Sequence, residues 1–173
     1  MSTSKHKRFV KIEVERYPAI LRDKRKIVLR HYFGQIDLRK TGRVLTQEEK
    51  VLLNIDQSRH ITTSMIDLMD PSFAGMFDID EALRLISHNA RNKYRLLNNW
   101  QQLSANANVT TIEFFSPRDR LTCKSCTSLT DSHLKKKFNF ARYLEKTCNC
   151  IWFRAEIHAQ KSPTMSNGCS GKD

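Results

Sequence analysis

Four cysteines, Cys123, Cys126, Cys148 and Cys150, carry the most specific chemistry in this 173-residue chain. They are spaced C-x2-C, then 21 residues, then C-x-C. Two close pairs joined by a loop suit a tetrahedral metal ion, because each pair bites from one short turn or strand and the loop brings the pairs together. The set reads as a structural Zn2+ site, with an iron centre as the other thiolate metal. Disulfides and redox work are the competing uses of the same thiols. Disulfides need an oxidising compartment, and the opening residues MSTSKHKRFVKIEVERYP hold no apolar leader, so the thiols are expected to stay reduced in a cytoplasmic protein. A redox C-x-x-C belongs at a strand-to-helix junction of a βαβ unit, whereas a loop rich in Ser, Thr, Asp and Lys follows Cys126.

Charge points to the partner. There are 30 Lys and Arg against 18 Asp and Glu, a net +12, which four thiolates and one divalent ion would lower by two. No stretch approaches the 18 apolar residues of a membrane span, so no membrane partner is expected. Residues 1–30 hold ten basic side chains, among them Arg22, Arg25 and Lys26, against three acidic ones. A second cluster surrounds the cysteines: Lys135, Lys136, Lys137 and Arg142 stand there with Phe138, Phe140 and Tyr143 interleaved. Cations mixed with aromatic rings fit contact with nucleic acid or another polyanion, through phosphates and through base stacking. A merely solvated basic face is the plainer reading.

The elements that must position these groups suggest an α+β protein, with a mainly helical body and a small C-terminal β module pinned by metal. Four regions are expected: a basic arm (1–17), a helical body (18–108), a four-cysteine zinc-binding β module (109–160) and a disordered tail (161–173) holding an unliganded Cys169. Within the arm, Val10, Ile12 and Val14 alternate with charges and suggest a short strand over 8–14. A helix is predicted over 18–33, with Pro18 in its first turn, Arg22 and Lys26 on its polar face, Arg25 at the edge, and Gly34 as left-handed cap. The stretch from Asp37 to Glu48 has a calcium-loop outline, but Arg39 stands where an oxygen ligand is required. A turn at Thr41-Gly42 and a capping box, Thr46 with Glu49, account for it better and open a helix through Val51, Leu52 and Ile55.

A further helix is predicted over 62–69, stopped by Asp70-Pro71, and the longest starts at Asp78 with Glu81. Ile79, Ala82, Leu83, Ile86, Ala90, Tyr94 and Leu97 form its core stripe, and the asparagines at 98–99 and 104–108 mark its end and a loop. His88 reads as a boundary residue. Residues 109–115 read as a strand with Ile112 and Phe114 on one side. Residues 150–157 alternate as a second strand, which would turn Cys148 and Cys150 the same way.

Asn89-Ala90-Arg91 on a long helix, an Asn-rich bend, an aromatic strand, the run from Ser116 through Asp119-Arg120-Leu121-Thr122-Cys123 and Cys126 to Asp131, and Cys148-Asn149-Cys150 together carry a resemblance. Over about residues 80–157 the chain resembles the C-terminal module of the phage Mu F-type head morphogenesis (minor capsid) proteins. Where that family has His-Pro before its C-x-C, this chain has Glu145-Lys146-Thr147. The resemblance implies a metal module in a capsid-assembly protein, acting through protein partners and located in the virion. A third reading is a small nuclease or toxin domain with His133 or His88 as base. A paired catalytic carboxylate cluster, a Gly-rich phosphate loop, H-E-x-x-H and a deaminase H-x-E with the cysteines find no match in the sequence, so a binding role ranks first.

Overall fold

A computed structural model describes residues 4–73 and 78–161 and shows an α+β fold. Its axis is α5 (Ile79–Ala105), 27 residues long and opened by Asp78, whose side chain accepts the Glu81 N–H at 2.8 Å. Ile79, Ala82, Leu83, Ile86, Ala90 and Leu97 are buried as their spacing requires, and Tyr94 is half-buried. The helix does not end at Asn98-Asn99 but runs on past Trp100, which is buried and extends the apolar stripe another turn.

Residues 4–16 correct the expected arm. They form α1 (Ser4–Arg16), with Phe9, Val10, Glu13 and Val14 buried, and α1 packs along α5. The alternation of Val10, Ile12 and Val14 was the weaker of two periods, because Phe9, Glu13 and Tyr17 repeat at four residues and lie on one helical face. The helix expected over 18–33 is also broken. Leu21 N–H donates to the Leu68 carbonyl at 2.9 Å and Ile20 bridges Met69, so the chain is tied to its neighbour before a 3-10 turn (Arg22–Lys24) leads into α2 (Arg25–Tyr32). Gly34, at φ +72°, ends α2 as the left-handed cap.

Gly42 sits at φ +81°, and a Cβ there would lie 2.6 Å from Thr63 Oγ1, so both the turn and the close approach of Thr63 need a glycine. The capping box forms: Thr46 Oγ1 accepts Glu49 N–H and Glu49 accepts Thr46 N–H at the start of α3 (Gln47–Leu52). The helix stops at Leu52, short of Ile55, because Asn54 turns left-handed at φ 53°. The helix expected over 62–69 shrinks to one turn, α4 (Thr63–Ile66) with Thr62 as N-cap, since Leu68 and Asp70 hydrogen-bond to the segment at 19–21 instead of continuing it.

The sheet is antiparallel in the order β2-β1-β3, built from β1 (Val109–Phe115), β2 (Ser132–Lys135) and β3 (Glu156–Lys161). Ile112 pairs with Leu134 and Ala159, and Phe114 with Ser132 and Ile157, which fixes which face meets the core. Ile112 and Phe114 are fully buried on that face, as their alternation predicted. Phe114 joins Phe140 and Tyr143 in an aromatic layer capped by Trp100, whose ring stacks on Phe140 at 4.7 Å. Lys161 closes β3, while the rest of the expected tail and Cys169 lie outside the described residues. Among the described residues no helix is long and apolar enough to cross a membrane.

Candidate metal centre and basic groove

The four sulfurs converge. Cys123 stands at the N-cap of α6 (Lys124–Leu129) and Cys126 in its first turn, so their side chains leave the same end of one short helix. Cys148 and Cys150 follow α7 (Phe140–Arg142) and a π-helical turn over 143–147 that delivers the chain to the same point. The sulfur atoms all lie within 4.8 Å of one another, with Cys126 to Cys148 at 3.4 Å, Cys123 to Cys150 at 3.5 Å and Cys148 to Cys150 at 3.8 Å. A disulfide would need about 2.05 Å. Four thiolates at about 2.3 Å from a central ion form a tetrahedron with edges of about 3.8 Å. The donor set and its spacing therefore fit a metal ion, which these four cysteines can hold.

The surrounding polar groups suit an anionic cluster. Cys123 N–H donates to Cys150 Sγ at 3.3 Å and the Tyr143 hydroxyl to Cys126 Sγ at 3.1 Å. Burial, then the neighbouring Cys126 thiol, holds the Tyr143 hydroxyl far above its ordinary range, so it remains a donor. Hydrogen bonding from Cys126 foremost, then from Cys148 and Cys150, pushes the Cys123 thiol well below the ordinary range. Cys126, Cys148 and Cys150 are buried and Cys123 is half-buried, so the cluster is closed on most sides.

The expected strand over 150–157 does not form before Glu156, and α5 explains why. Asn89 Nδ2 donates to the Cys150 and Ile151 carbonyls at 3.2 and 3.0 Å, and its Oδ1 accepts Phe153 N–H at 2.7 Å. Asn92 Nδ2 donates to the Phe153 carbonyl at 3.2 Å, and Trp152 N–H donates to the Leu121 carbonyl. Side chains and an irregular loop satisfy the backbone that a neighbouring strand would otherwise pair. Cys148 and Cys150 thus share a direction because α5 holds the loop, not because of a strand period.

Lys93, fully buried, donates to the Cys148 carbonyl at 2.9 Å and to Glu13 Oε1 at 2.7 Å. Burial works against its charge, but Glu13 and then the Cys148 sulfur outweigh it and hold Lys93 above its ordinary range. Arg16 reaches the Cys148 carbonyl at 3.3 Å and also bonds the Glu145 carbonyl. On the other side, Asp119 accepts Leu121 N–H and the Thr122 hydroxyl and takes Arg154 at 2.5 Å, tying the loop before Cys123 to the segment after Cys150. Asn89, Lys93, Glu13 and Arg16 were missing from the candidate site. The one signal for them was polar residues at 89 and 93, inside an otherwise apolar helical stripe.

Of the predicted contact residues, Lys135, Lys137 and Arg142 line one open groove of about 700 Å³, together with His133, Phe138 and Tyr143. None of the three cations is ion-paired among the described residues. Lys136 turns elsewhere, its Nζ bonding the Asn106 carbonyl at 2.6 Å. Arg22, Arg25 and Lys26 lie on the 3-10 turn and α2, outside the residues lining that groove, and Arg25 is half-buried. His133 is exposed on β2. His88 packs edge-on to Trp152 with Nε2 at 2.7 Å from Asn92 Nδ2, and burial, then Arg91, lowers its pKa. Neither histidine forms a hydrogen bond or ion pair with a carboxylate or a nucleophile among the described residues. No family model, no curated protein and no solved structure matches this chain.

Proposed function

We propose that this chain is a zinc-stapled, non-enzymatic binding protein whose groove beside the metal module contacts nucleic acid. The observation that carries the reading is the groove itself: Lys135, Lys137 and Arg142 line it with no ion-pair partner among the described residues, around the half-buried ring of Phe138. Cations at that spacing suit phosphates, and an aromatic floor accepts the flat face of a base. Zinc is favoured over iron because closed four-thiolate sites of this pattern are most often structural zinc. The ion's part is to cross-link two loops that the chain alone holds apart by 21 residues.

Elemental analysis of the purified protein and an electrophoretic shift against single- and double-stranded nucleic acid at two salt concentrations test both halves. One zinc per chain and binding that weakens steeply with salt are expected. Reversing Lys135, Lys137 and Arg142 to Glu should abolish the shift and flatten the salt slope, by roughly 0.7 to 0.9 for each phosphate no longer neutralised. Salt-insensitive binding, or binding unchanged in the triple variant, would remove the nucleic-acid reading.

A second reading has its own support. Val44, Val51, Leu52 and Leu53 are 44, 58, 85 and 43% exposed around α3, an apolar corner suited to a protein surface. It fits the head-assembly role that the phage resemblance implies. One zinc per chain without nucleic-acid binding would favour it.

A further inference from the structure

Away from the cysteines and the groove, three arginines from separate parts of the chain meet over one carboxylate. Arg39 comes from the 3-10 turn Leu38–Lys40, Arg59 from the loop before α4, and Arg84 from the first turns of α5. Arg39 Nη2 and Arg84 Nη2 each lie 2.7 Å from an oxygen of Asp80, and Arg59 Nη1 lies 3.8 Å from it while its Nε pairs with Asp78 at 3.1 Å. The Asp80 carboxylate is only 6% exposed, yet Arg39 and Arg84 are 50 and 66% exposed. In front of them lies a hollow of about 390 Å³, lined also by Ser58 and His60.

One guanidinium neutralises one carboxylate, so two carboxylates leave this trio with one positive charge to spare. Asp37 is answered by Lys40 at 3.8 Å, while Asp56 feels Arg59 from beyond ion-pair distance and takes up only part of that surplus. Donors are in greater surplus than charge. A guanidinium offers five N–H groups, and Arg39 and Arg84 each spend one on Asp80. Asp80 acts as the positioning residue. It holds Arg39 and Arg84, and Asp78 holds Arg59 at 3.1 Å, so that a ligand in the hollow meets donors already ordered and does not have to order them.

We infer that this hollow binds the terminal phosphate of a small phosphorylated molecule. A phosphate monoester has three terminal oxygens for three guanidiniums, while a diester has two. The hollow is of a size that takes a small molecule. This site shares no residue with the groove, so it stands or falls apart from the nucleic-acid reading.

The test follows arginine Nε–H signals by NMR while the full chain is titrated with inorganic phosphate at constant ionic strength. Saturable shifts at Arg39, Arg59 and Arg84 are expected, with methyl phosphate equivalent and dimethyl phosphate at least roughly tenfold weaker. Arg84→Gln should weaken phosphate about tenfold, because it removes a charged donor while Arg39 and Arg59 still cover Asp80. Arg39→Gln serves as the second variant. Shifts that do not saturate, wild-type affinity in both arginine variants, or dimethyl phosphate binding as tightly as inorganic phosphate would each overturn the site.

Discussion

Helix α5 carries one charged cluster at its start and another at its middle, and water treats them oppositely. Around Asp80 the guanidiniums stay in contact with solvent, and three of them share the work. Lys93 and Glu13 meet with 0 and 5% of their side chains exposed, and each is the other's only opposite charge within ion-pair distance among the described residues. The open cluster has donors left over and tolerates the loss of one member. The buried pair has no such margin, because removing either member leaves the other's charge buried without an opposite partner. The same two residue classes therefore serve recognition in one place and construction in the other, and burial decides which.

The most damaging change falls beside the buried cluster. Cys126→Ser should unfold the C-terminal third while leaving most helical signal, because a metal site stabilises only what it cross-links. Limited proteolysis checks this, and intact protection across residues 110–157 in the variant would contradict it. Next in size is Lys93→Met, which leaves Glu13 buried without a partner. It should cost about 3–5 kcal/mol in urea unfolding, and adding Glu13→Leu should recover much of that. Arg84→Gln is the open-cluster counterpart. It should cost no more than about 1 kcal/mol, since solvent screens it and two arginines remain; a loss as large as that of Lys93→Met would erase the contrast.

The smallest effect is one of pH. Glu49 accepts both Arg43 and the Thr46 N–H, which lowers its pKa from 4.5 to about 2. A carboxylate depressed by folding adds stability in full above its unfolded value. That addition should fade as pH falls from about 4.5 toward about 2. An acid titration of Arg43→Ala against the parent should show the two curves converging across that window.

Local chemistry was legible in the sequence. The two close cysteine pairs, the Thr46–Glu49 box, the Gly34 cap, the start of α5 and the face of β1 each depend on residues a few positions apart, and each formed. What escaped depends on distance along the chain. The alternation over 150–157 was real, but Asn89 and Asn92, some sixty positions earlier, claim that backbone first. Residues 8–14 carried two competing periods, and packing against α5 selects the helical one. Lys136 looked like its neighbours, and its tie to Asn106 follows from how β2 ends beside the loop after α5. The meeting of Arg39, Arg59 and Arg84 has no motif, since no fixed spacing links the three.

The reach of α1 to the cysteine loop governs how the protein can be handled. Glu13 and Arg16 lie more than a hundred positions before Cys148, yet they complete the support of its carbonyl. A fragment cut out around the cysteines, or a truncation that starts after Tyr17, would keep all four sulfurs and lose the frame that aims two of them. The cysteine segment cannot be transplanted as a cassette; its first structural residues are those of the amino-terminal helix.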